Sequence, residues 1–332
     1  MILVTGATGF VGSELVKQLL KDGFTVRAVK RAESIIPQIL KDQSGIEWVE
    51  ADLLNYFSLQ EAFEGVKQVY HCGAFISFNP TDKKKLHKIN VEGTAHIVDL
   101  CLEHNIEKLV HVSSVAALGE AKPGQLITEN HRWEFNGKQH GYSISKHESE
   151  MEIWRGIAEG LNAVIVNPSL IIGKNAGIKG SGQLFEIVRR GLKFYTSGSV
   201  GLVDVEDVAR CMIMLMQSDI RDDRFLINAE NWAYKELFTE IASYCGVRPP
   251  LIKAKPWMIS LAWWGALFAS LLTGKKYGLT KHTAESAFKN HAYSNQKIQQ
   301  ATGINFKPIK KTIQEICQSL KENHCEQKLL HY

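Results

Sequence analysis

The chain opens with Met1-Ile2-Leu3-Val4-Thr5-Gly6-Ala7-Thr8-Gly9-Phe10-Val11-Gly12, a short apolar run followed by closely spaced glycines. The apolar run predicts a buried strand, and residues 13–20 have helical periodicity, so the glycines lie at a strand-to-helix turn. Such a turn lets backbone amides approach a pyrophosphate at the positive end of a helix. A glycine triplet alone is also typical of ordinary turns, but this position favours nucleotide binding. We therefore predict a dinucleotide-binding loop formed by Gly6, Thr8, Gly9, Phe10, Val11 and Gly12.

Beyond this loop, apolar runs alternate with segments of helical length. Strands are predicted at residues 25–29, 46–50, 68–71, 108–113, 163–167 and 225–228. This alternation is typical of an α/β fold, so we predict a doubly wound parallel sheet (Rossmann) with a smaller, mainly helical, discontinuous substrate domain. Ligands bind at the carboxyl ends of the strands in such a sheet, so the residues that follow each strand are the first site candidates.

The order of these patterns also predicts the domain boundaries. Residues 1–172 and about 200–231 are expected to form the dinucleotide-binding domain. Residues about 173–199 and 232–332 are expected to form the substrate domain, whose last part is mainly helical and would close over the site.

The composition of the chain argues against several classes of protein. The chain has 332 residues, 45% hydrophobic and 22% charged, which is sufficient for a large core. Its net charge is only +4 and no basic tract is interleaved with aromatic residues, which argues against a nucleic-acid partner. Six scattered cysteines argue against a zinc site or a disulfide framework and favour free thiols in a reducing compartment. No secretory signal precedes the first strand, so a cytoplasmic location is expected, and no metal is required.

The end of the second strand bears on the choice of cofactor. A site selective for NAD would carry an acid here to bind the adenosine ribose, whereas this chain has Lys30 and Arg31. Arginine offers a planar donor fork to a 2′-phosphate, and lysine adds a point charge. NADP(H) is therefore favoured over NAD(H), with solvated loop cations as the alternative interpretation.

Tyr142 and Lys146 are four residues apart in a segment with helical character, so they share one helix face. A nearby ammonium favours the phenolate of a tyrosine and makes it a usable acid/base near neutral pH. Such a pair also occurs by chance, but here Ser113-Ser114 ends a predicted strand and a glycine loop opens the chain. The combination indicates nicotinamide-dependent redox chemistry.

These motifs together resemble the extended short-chain dehydrogenase/reductase family, which belongs to the NAD-dependent epimerase/dehydratase superfamily. The resemblance rests on residues 5–12, Asp52-Leu53, 90–94, 112–114 and 142–146 and covers nearly the whole chain. Residues 26–31 and 167–173 are most similar to dihydroflavonol-reductase-like and 3β-hydroxysteroid-dehydrogenase-like members.

The resemblance implies a role for each matching residue. Tyr142 would be the catalytic acid/base, Lys146 would hold the nicotinamide ribose and lower the tyrosine pKa, and Ser114 would bind the substrate oxygen. Asn90 would either support a proton-relay water or cap a helix that begins there. The remaining cofactor-binding residues would be Asp52, Leu53, Cys72, Gly73, Ala74, Asn167, Pro168 and Ser169.

The uncharged segment 256–273 is flanked by lysines and is unusual for a soluble surface. It is shorter than the roughly 20 residues of a spanning helix, so three interpretations remain open: a spanning segment, a contact with the membrane surface, or a buried helix at a substrate pocket or dimer contact. The resemblance also implies a homodimer.

The function expected from the sequence is interconversion of a carbonyl and a secondary alcohol on an apolar small molecule. Nucleotide-sugar epimerisation or dehydration with bound NAD is the first alternative. Lys30-Arg31 counts against it, and so does the absence of an arginine in Ser197-Gly198-Ser199-Val200-Gly201-Leu202, although Arg189 and Arg190 could substitute. A non-catalytic NADP-sensing module is the second alternative, disfavoured because Tyr142 and Lys146 are both present.

Overall fold

A computed structural model describes residues 1–122, 124–137, 139–177, 180–255, 257–258 and 287–329, with side chains described up to residue 322. The predictions for segment 256–273 therefore lie outside the described residues, apart from positions 257 and 258. No helix in the described part of the chain is both long enough and apolar enough to cross a membrane.

The elements follow one another in an alternating order. The strands are β1 Ile2–Thr5, β2 Val26–Lys30, β3 Ile46–Glu50, β4 Gln68–His71, β5 Lys108–Val112, β6 Ala163–Pro168, β7 Leu170–Ile172, β8 Phe194–Tyr195, β9 Ser199–Asp204, β10 Asp223–Ile227, β11 Glu230–Ala233 and β12 Ile252–Lys253. The helices are α1 Phe10–Lys21, α2 Tyr56–Phe63, α3 Lys83–Leu86, α4 Gly93–Glu103, α5 Gly141–Ala158, α6 Gly182–Arg189, α7 Val205–Gln217, α8 Tyr234–Cys245, α9 Gln296–Thr302 and α10 Ile309–Leu329. A π-helical turn, His87–Glu92, joins α3 to α4.

The main sheet has seven parallel strands in the order β10-β6-β5-β4-β1-β2-β3. Every residue of β5 and β6 is buried, because helices cover both faces of a doubly wound sheet. One core packs α1 and α7 against the first face, and a second core packs α2, α4 and α5 against the other. The predicted fold class is confirmed.

A smaller part of the molecule has its own core. Strands β11, β9 and β7 form a second sheet, and α6, α8 and α10 pack on it through a core that includes Phe185, Leu202, Ile241 and Ile313. Strands β7 and β9, which lie at the edges of the predicted dinucleotide-binding domain, both belong to this second sheet. The division into two domains stays a prediction.

Because all seven strands of the main sheet are parallel, their carboxyl ends meet at one edge. The chain leaves β1 into the glycine loop, β4 into Cys72-Gly73-Ala74 and β5 into Ser113-Ser114 at this edge. The predicted site residues are therefore carried by neighbouring strands.

Candidate functional site

The glycine loop forms a tight turn between β1 and α1. Gly6 has a φ of 65°, and a Cβ atom there would lie 2.7 Å from the Cα of Gly73. The Gly9 amide donates to the Gly6 carbonyl at 2.9 Å, and a Cβ on Gly12 would lie 2.2 Å from the same carbonyl oxygen. Gly6 and Gly12 therefore accept only glycine without a shift of the backbone.

The start of α1 fits an anionic group. Gly9 is the N-cap residue and provides no side-chain hydrogen bond, and the first turn contains no acidic residue. The first amides of this helix are thus not capped by a side chain of their own turn, which suits a pyrophosphate. Thr8, Phe10 and Val11 are half-buried around this turn, and the Phe10 ring reaches the space beside Gly173.

At the adenosine end of the predicted site, both cations already have acidic partners. Lys30 lies opposite Glu50 in the pairing of β2 with β3, and its ammonium contacts that carboxylate at 2.5 Å. Arg31 contacts Glu33 at 3.2 Å, but both side chains are more than half exposed. An exposed pair of this kind contributes little, so the Arg31 guanidinium can exchange its partner for a ligand.

Asp52 and Leu53 follow β3 as predicted. Asp52 is exposed and its carboxylate accepts the Leu54 amide at 2.8 Å. Leu53 lies where Cβ atoms on Gly73 and Gly93 would meet its side chain at 2.9 and 3.0 Å. The absence of a Cβ atom at those two positions therefore allows Leu53 to pack against the segment that follows β4.

The segment after β4 is held to the glycine loop through Thr5. Cys72 donates its amide to the Thr5 carbonyl at 3.2 Å, and the Gly73 amide contacts the Thr5 hydroxyl at 3.3 Å. His71 bonds Thr5 at 2.7 Å and Thr94 at 3.1 Å, and burial lowers its pKa to about 3. A neutral, fully engaged imidazole has a structural role. Ala74 continues this segment and is exposed, so a ligand at the carboxyl ends of the strands can contact it.

Asn90 does not cap a helix, so that sequence-based interpretation is wrong. It lies inside the π-helical turn and is buried. Its side chain accepts the Phe75 amide at 2.7 Å and donates to the Phe75 carbonyl and the Ser145 hydroxyl, both at 3.0 Å. Asn90 therefore ties the segment after β4 to the helix that carries Tyr142.

Tyr142 and Ser114 lie beside each other. Tyr142 is in the first turn of α5, where His140 caps the helix by accepting the Ser143 amide at 3.0 Å. Burial raises the pKa of Tyr142 to about 12, and a hydrogen bond from the Ser114 side chain opposes this rise. Ser114 follows β5, and its hydroxyl also accepts the Ala116 amide at 3.2 Å. The phenol is thus protonated at neutral pH and has a hydroxyl at its side.

Lys146 is buried on the same face of α5. Its ammonium donates to the Val112 carbonyl at 2.8 Å, which fixes it at the end of β5. Burial lowers the pKa of Lys146 to about 8, while Glu150 and Cys72 act in the opposite direction. The ammonium is therefore close enough to Cys72, in the segment that follows β4, for the two groups to interact electrostatically.

One helix turn after Lys146, the structure contains a buried network of charged and polar side chains that was not predicted from the sequence. Glu150 is 0% exposed; its carboxylate accepts the Asn167 amide at 2.5 Å and contacts the Arg224 guanidinium at 3.5 Å. Arg224 in turn donates to the Glu129 carbonyl. The position of Glu150, four residues after Lys146 and therefore on the same helix face, could have indicated this network from the sequence.

The three cofactor-binding residues predicted at the end of β6 have different surroundings. Asn167 is fully buried, and its amide also donates to the Ser114 carbonyl at 2.9 Å, so its nitrogen is used inside the protein. Pro168 ends β6 and pairs with Ile227. The Ser169 hydroxyl and the Asn167 side-chain oxygen are both buried without a hydrogen-bond partner among the described residues, so either atom could receive a polar ligand atom.

Within the described ranges, no group of three or more His, Cys, Asp or Glu side chains is positioned to hold an ion. The site instead combines a glycine cradle, a buried ammonium and a buried phenol, a donor set suited to a dinucleotide and a polarised oxygen.

The chain is similar in sequence and in structure to several known proteins. A putative dihydroflavonol 4-reductase of Synechocystis sp. is 32% identical over 267 residues, which cover 78% of this chain and 77% of the relative. Sterol demethylase protein B of Methylococcus capsulatus is 29% identical over 259 residues, covering 76% of this chain and 77% of the relative. The crystal structure of gox2253 has a TM-score of 0.83 at 26% identity, covering 97% of this chain and 98% of that one.

The family match is broader than any single relative. A model of the NAD dependent epimerase/dehydratase family matches residues 2–227, a range that contains every predicted site residue. The resemblance seen in the sequence is thereby confirmed. The chain belongs to the NAD dependent epimerase/dehydratase family and is an NAD(P)-dependent oxidoreductase of its extended short-chain dehydrogenase/reductase type.

Proposed function

We propose that the chain is an NADP(H)-dependent oxidoreductase that interconverts a carbonyl and a secondary alcohol on an apolar small molecule. The observation that carries this proposal is the position of Tyr142 beside Ser114, with Lys146 buried on the same helix face. The reductase name of the Synechocystis relative supports the same reaction class.

The proton chemistry follows from the electrostatics of these three residues. Bound NADPH would supply a hydride to the carbonyl carbon. Because burial keeps Tyr142 protonated, its phenol can donate a proton to the oxygen as negative charge develops there. Ser114 can donate a hydrogen bond to the same oxygen. An ammonium on the same helix face, that of Lys146, would favour the phenolate that remains after the proton transfer.

The surface next to Tyr142 supports an apolar substrate. The Phe78 ring lies 5.6 Å from the Tyr142 ring, and 41% of Phe78 is exposed. Ile76, two residues earlier on the same segment, is 64% exposed. Large apolar side chains left open beside a buried polar group are typical of ligand sites. The name of the Methylococcus relative refers to a sterol, which is an apolar molecule of this kind.

Arg31 is the residue that supports NADP(H) over NAD(H). Among the residues that the structure describes, its exposed guanidinium pairs with Glu33 alone, whereas Lys30 is engaged with Glu50 across the sheet. A 2′-phosphate offers a stronger, bidentate partner than an exposed carboxylate. We therefore assign the 2′-phosphate to Arg31 and expect a smaller contribution from Lys30.

The nucleotide-sugar alternative has less support. Arg189 and Arg190 were the candidates to hold a sugar diphosphate, but both contact the carboxylate of Glu186, at 2.8 and 2.6 Å, and this carboxylate is only 15% exposed, whereas that of Glu33 beside Arg31 is 69% exposed. The sensor alternative gives no reason for a buried ammonium and a buried phenol to be maintained together, since burying ionisable groups is unfavourable.

The test is a turnover assay with NADPH and NADH against apolar ketones and aldehydes, with UDP-sugars in parallel. Consumption of NADPH with an apolar carbonyl, lost in Tyr142→Phe by about 10²- to 10⁴-fold, is the expected result. Tyr195→Phe, at a half-buried tyrosine of the smaller part, is the matched control. Full turnover in Tyr142→Phe would overturn the assignment, and conversion of UDP-sugars alone would favour the epimerase.

A further inference from the structure

Two cysteines with no role in the proposed reaction are in contact between α8 and α10. Cys245 is the last residue of α8, and Cys317 lies within α10. Their sulfur atoms are 2.9 Å apart although 72 positions separate them in the sequence. Atoms that merely pack are about 3.5–4.0 Å apart, so this contact is closer than packing alone requires.

The two thiols have different surroundings. Cys317 is 1% exposed, and its sulfur also faces the Ile241 carbonyl at 3.8 Å, whereas Cys245 is partly exposed. The hydrogen bond from Cys317 lowers the pKa of Cys245, and nearby Lys321 and Arg189 act in the same direction against burial. Cys245 is therefore the sulfur that is both reachable and readily ionised.

We propose that Cys245 and Cys317 form a thiol–disulfide modification site whose co-reactant is a small disulfide such as oxidised glutathione. The Cys245 thiolate attacks one sulfur of that disulfide, forms a mixed disulfide and releases one glutathione thiolate. Cys317 then loses its proton, attacks the Cys245 sulfur and releases the second glutathione. The protein is oxidised by two electrons, and one small disulfide is reduced to two thiols.

The bond would join the two helices that supply much of the core of the smaller part. Residues Leu237 and Ile241 of α8 pack in the same core as Ile313 and Ile316 of α10. A covalent link between these helices limits the freedom of the unfolded chain, so the oxidised protein should have a higher Tm. None of the residues proposed for hydride or proton transfer takes part, so this site can be tested independently of the reaction.

The experiment is peptide mass mapping of the full chain after equilibration in glutathione buffers that run from fully reduced to fully oxidised. Trypsin places Cys245 and Cys317 in separate peptides, residues 236–253 and 312–321, and Cys325 in a third, residues 322–328. The expected product is the linked pair 236–253 and 312–321, lighter by two hydrogens, which disappears on reduction and which appears together with a higher Tm.

Two variants test the order of the steps. Cys317→Ser should retain glutathione on Cys245 because no second thiol displaces it, whereas in Cys245→Ser the buried Cys317 should remain unmodified. The buried Cys211 of α7 serves as the internal control and should stay reduced throughout. The proposal is overturned if no linked pair forms at any glutathione ratio, if Cys325 competes equally for either sulfur, or if Cys317 is modified first.

Discussion

Glu150 follows Lys146 by one turn of α5, and neither side chain is exposed by more than a few per cent. The carboxylate raises the pKa of the ammonium, while burial alone lowers it. Asn167 and Arg224 hold the same carboxylate from the other side. The charge on Lys146 is therefore supported by a buried carboxylate that was not among the predicted site residues.

This relationship predicts the pH dependence of Glu150→Gln. Removing the negative charge lowers the pKa of Lys146 further, because burial is then opposed by Cys72 alone among its named neighbours. Lys146 would lose its proton at a lower pH, so the alkaline limb of the pH–rate profile should move down by about one unit. The measurement is kcat against pH, with saturating cofactor.

The matched control for Glu150→Gln is Glu152→Gln. Glu152 lies on the same helix but pairs at the surface with Arg155 at 2.9 Å. Such a pair contributes little and has no buried ammonium beside it. The alkaline limb should not move in this variant. An equal displacement in both variants would show that a change in helix charge, rather than the buried carboxylate, controls the titration.

Arg31→Ala should weaken the binding of NADPH but not that of NADH. Loss of a charge-assisted contact worth about 1.5–3 kcal/mol corresponds to a roughly 10- to 100-fold weaker Kd for NADPH. NADH has no 2′-phosphate, so its Kd should be unchanged. Lys30→Ala should have a smaller effect on NADPH because Glu50 already engages that ammonium. Titrations of each cofactor by fluorescence measure both constants, and equal losses for NADPH and NADH would contradict the assignment.

The main sheet could be predicted from the sequence because its strands carry a strong local signal. Strands buried on both faces are largely apolar runs, as in residues 163–166 of β6, where every residue is buried. The predicted bounds of 46–50 and 68–71 match β3 and β4 in full. The glycine loop was predictable for the same reason, since a turn and a helix start are set by neighbouring residues.

Side-chain partners could not be predicted, because they depend on contacts between distant segments. Lys30 faces Glu50 only because β2 and β3 pair in that register. Asn90 bonds Phe75 and Ser145 across three segments, and a π-helical turn has no sequence pattern that would have indicated this. The same holds for Cys245 and Cys317, whose wide separation in the sequence suggested isolated thiols.

Gly12→Ala should weaken cofactor binding at the glycine loop. A Cβ atom at this position would lie 2.2 Å from the Gly6 carbonyl oxygen, so the loop or α1 must move. We expect the Kd for NADPH to rise at least about tenfold and the free energy of unfolding to fall by about 1–3 kcal/mol. Gly9→Ala is the comparison, because its Cβ would lie 3.1 Å from the same oxygen. A larger loss of binding in Gly9→Ala than in Gly12→Ala would contradict the role of this clearance.

Asn90→Ala should weaken both the fold and turnover. The change removes three hydrogen bonds and leaves the Phe75 amide without its acceptor; at about 0.5–1.5 kcal/mol each, unfolding should become easier by about 2–4 kcal/mol in urea titrations. Turnover should fall as well, because Asn90 positions the helix turn that bears Tyr142. Asn55→Ala removes the cap of α2 at an exposed site, so it should lower stability by about 1 kcal/mol and leave kcat unchanged. If Asn90→Ala loses stability but keeps full kcat, the link between Asn90 and the Tyr142 helix has no catalytic consequence.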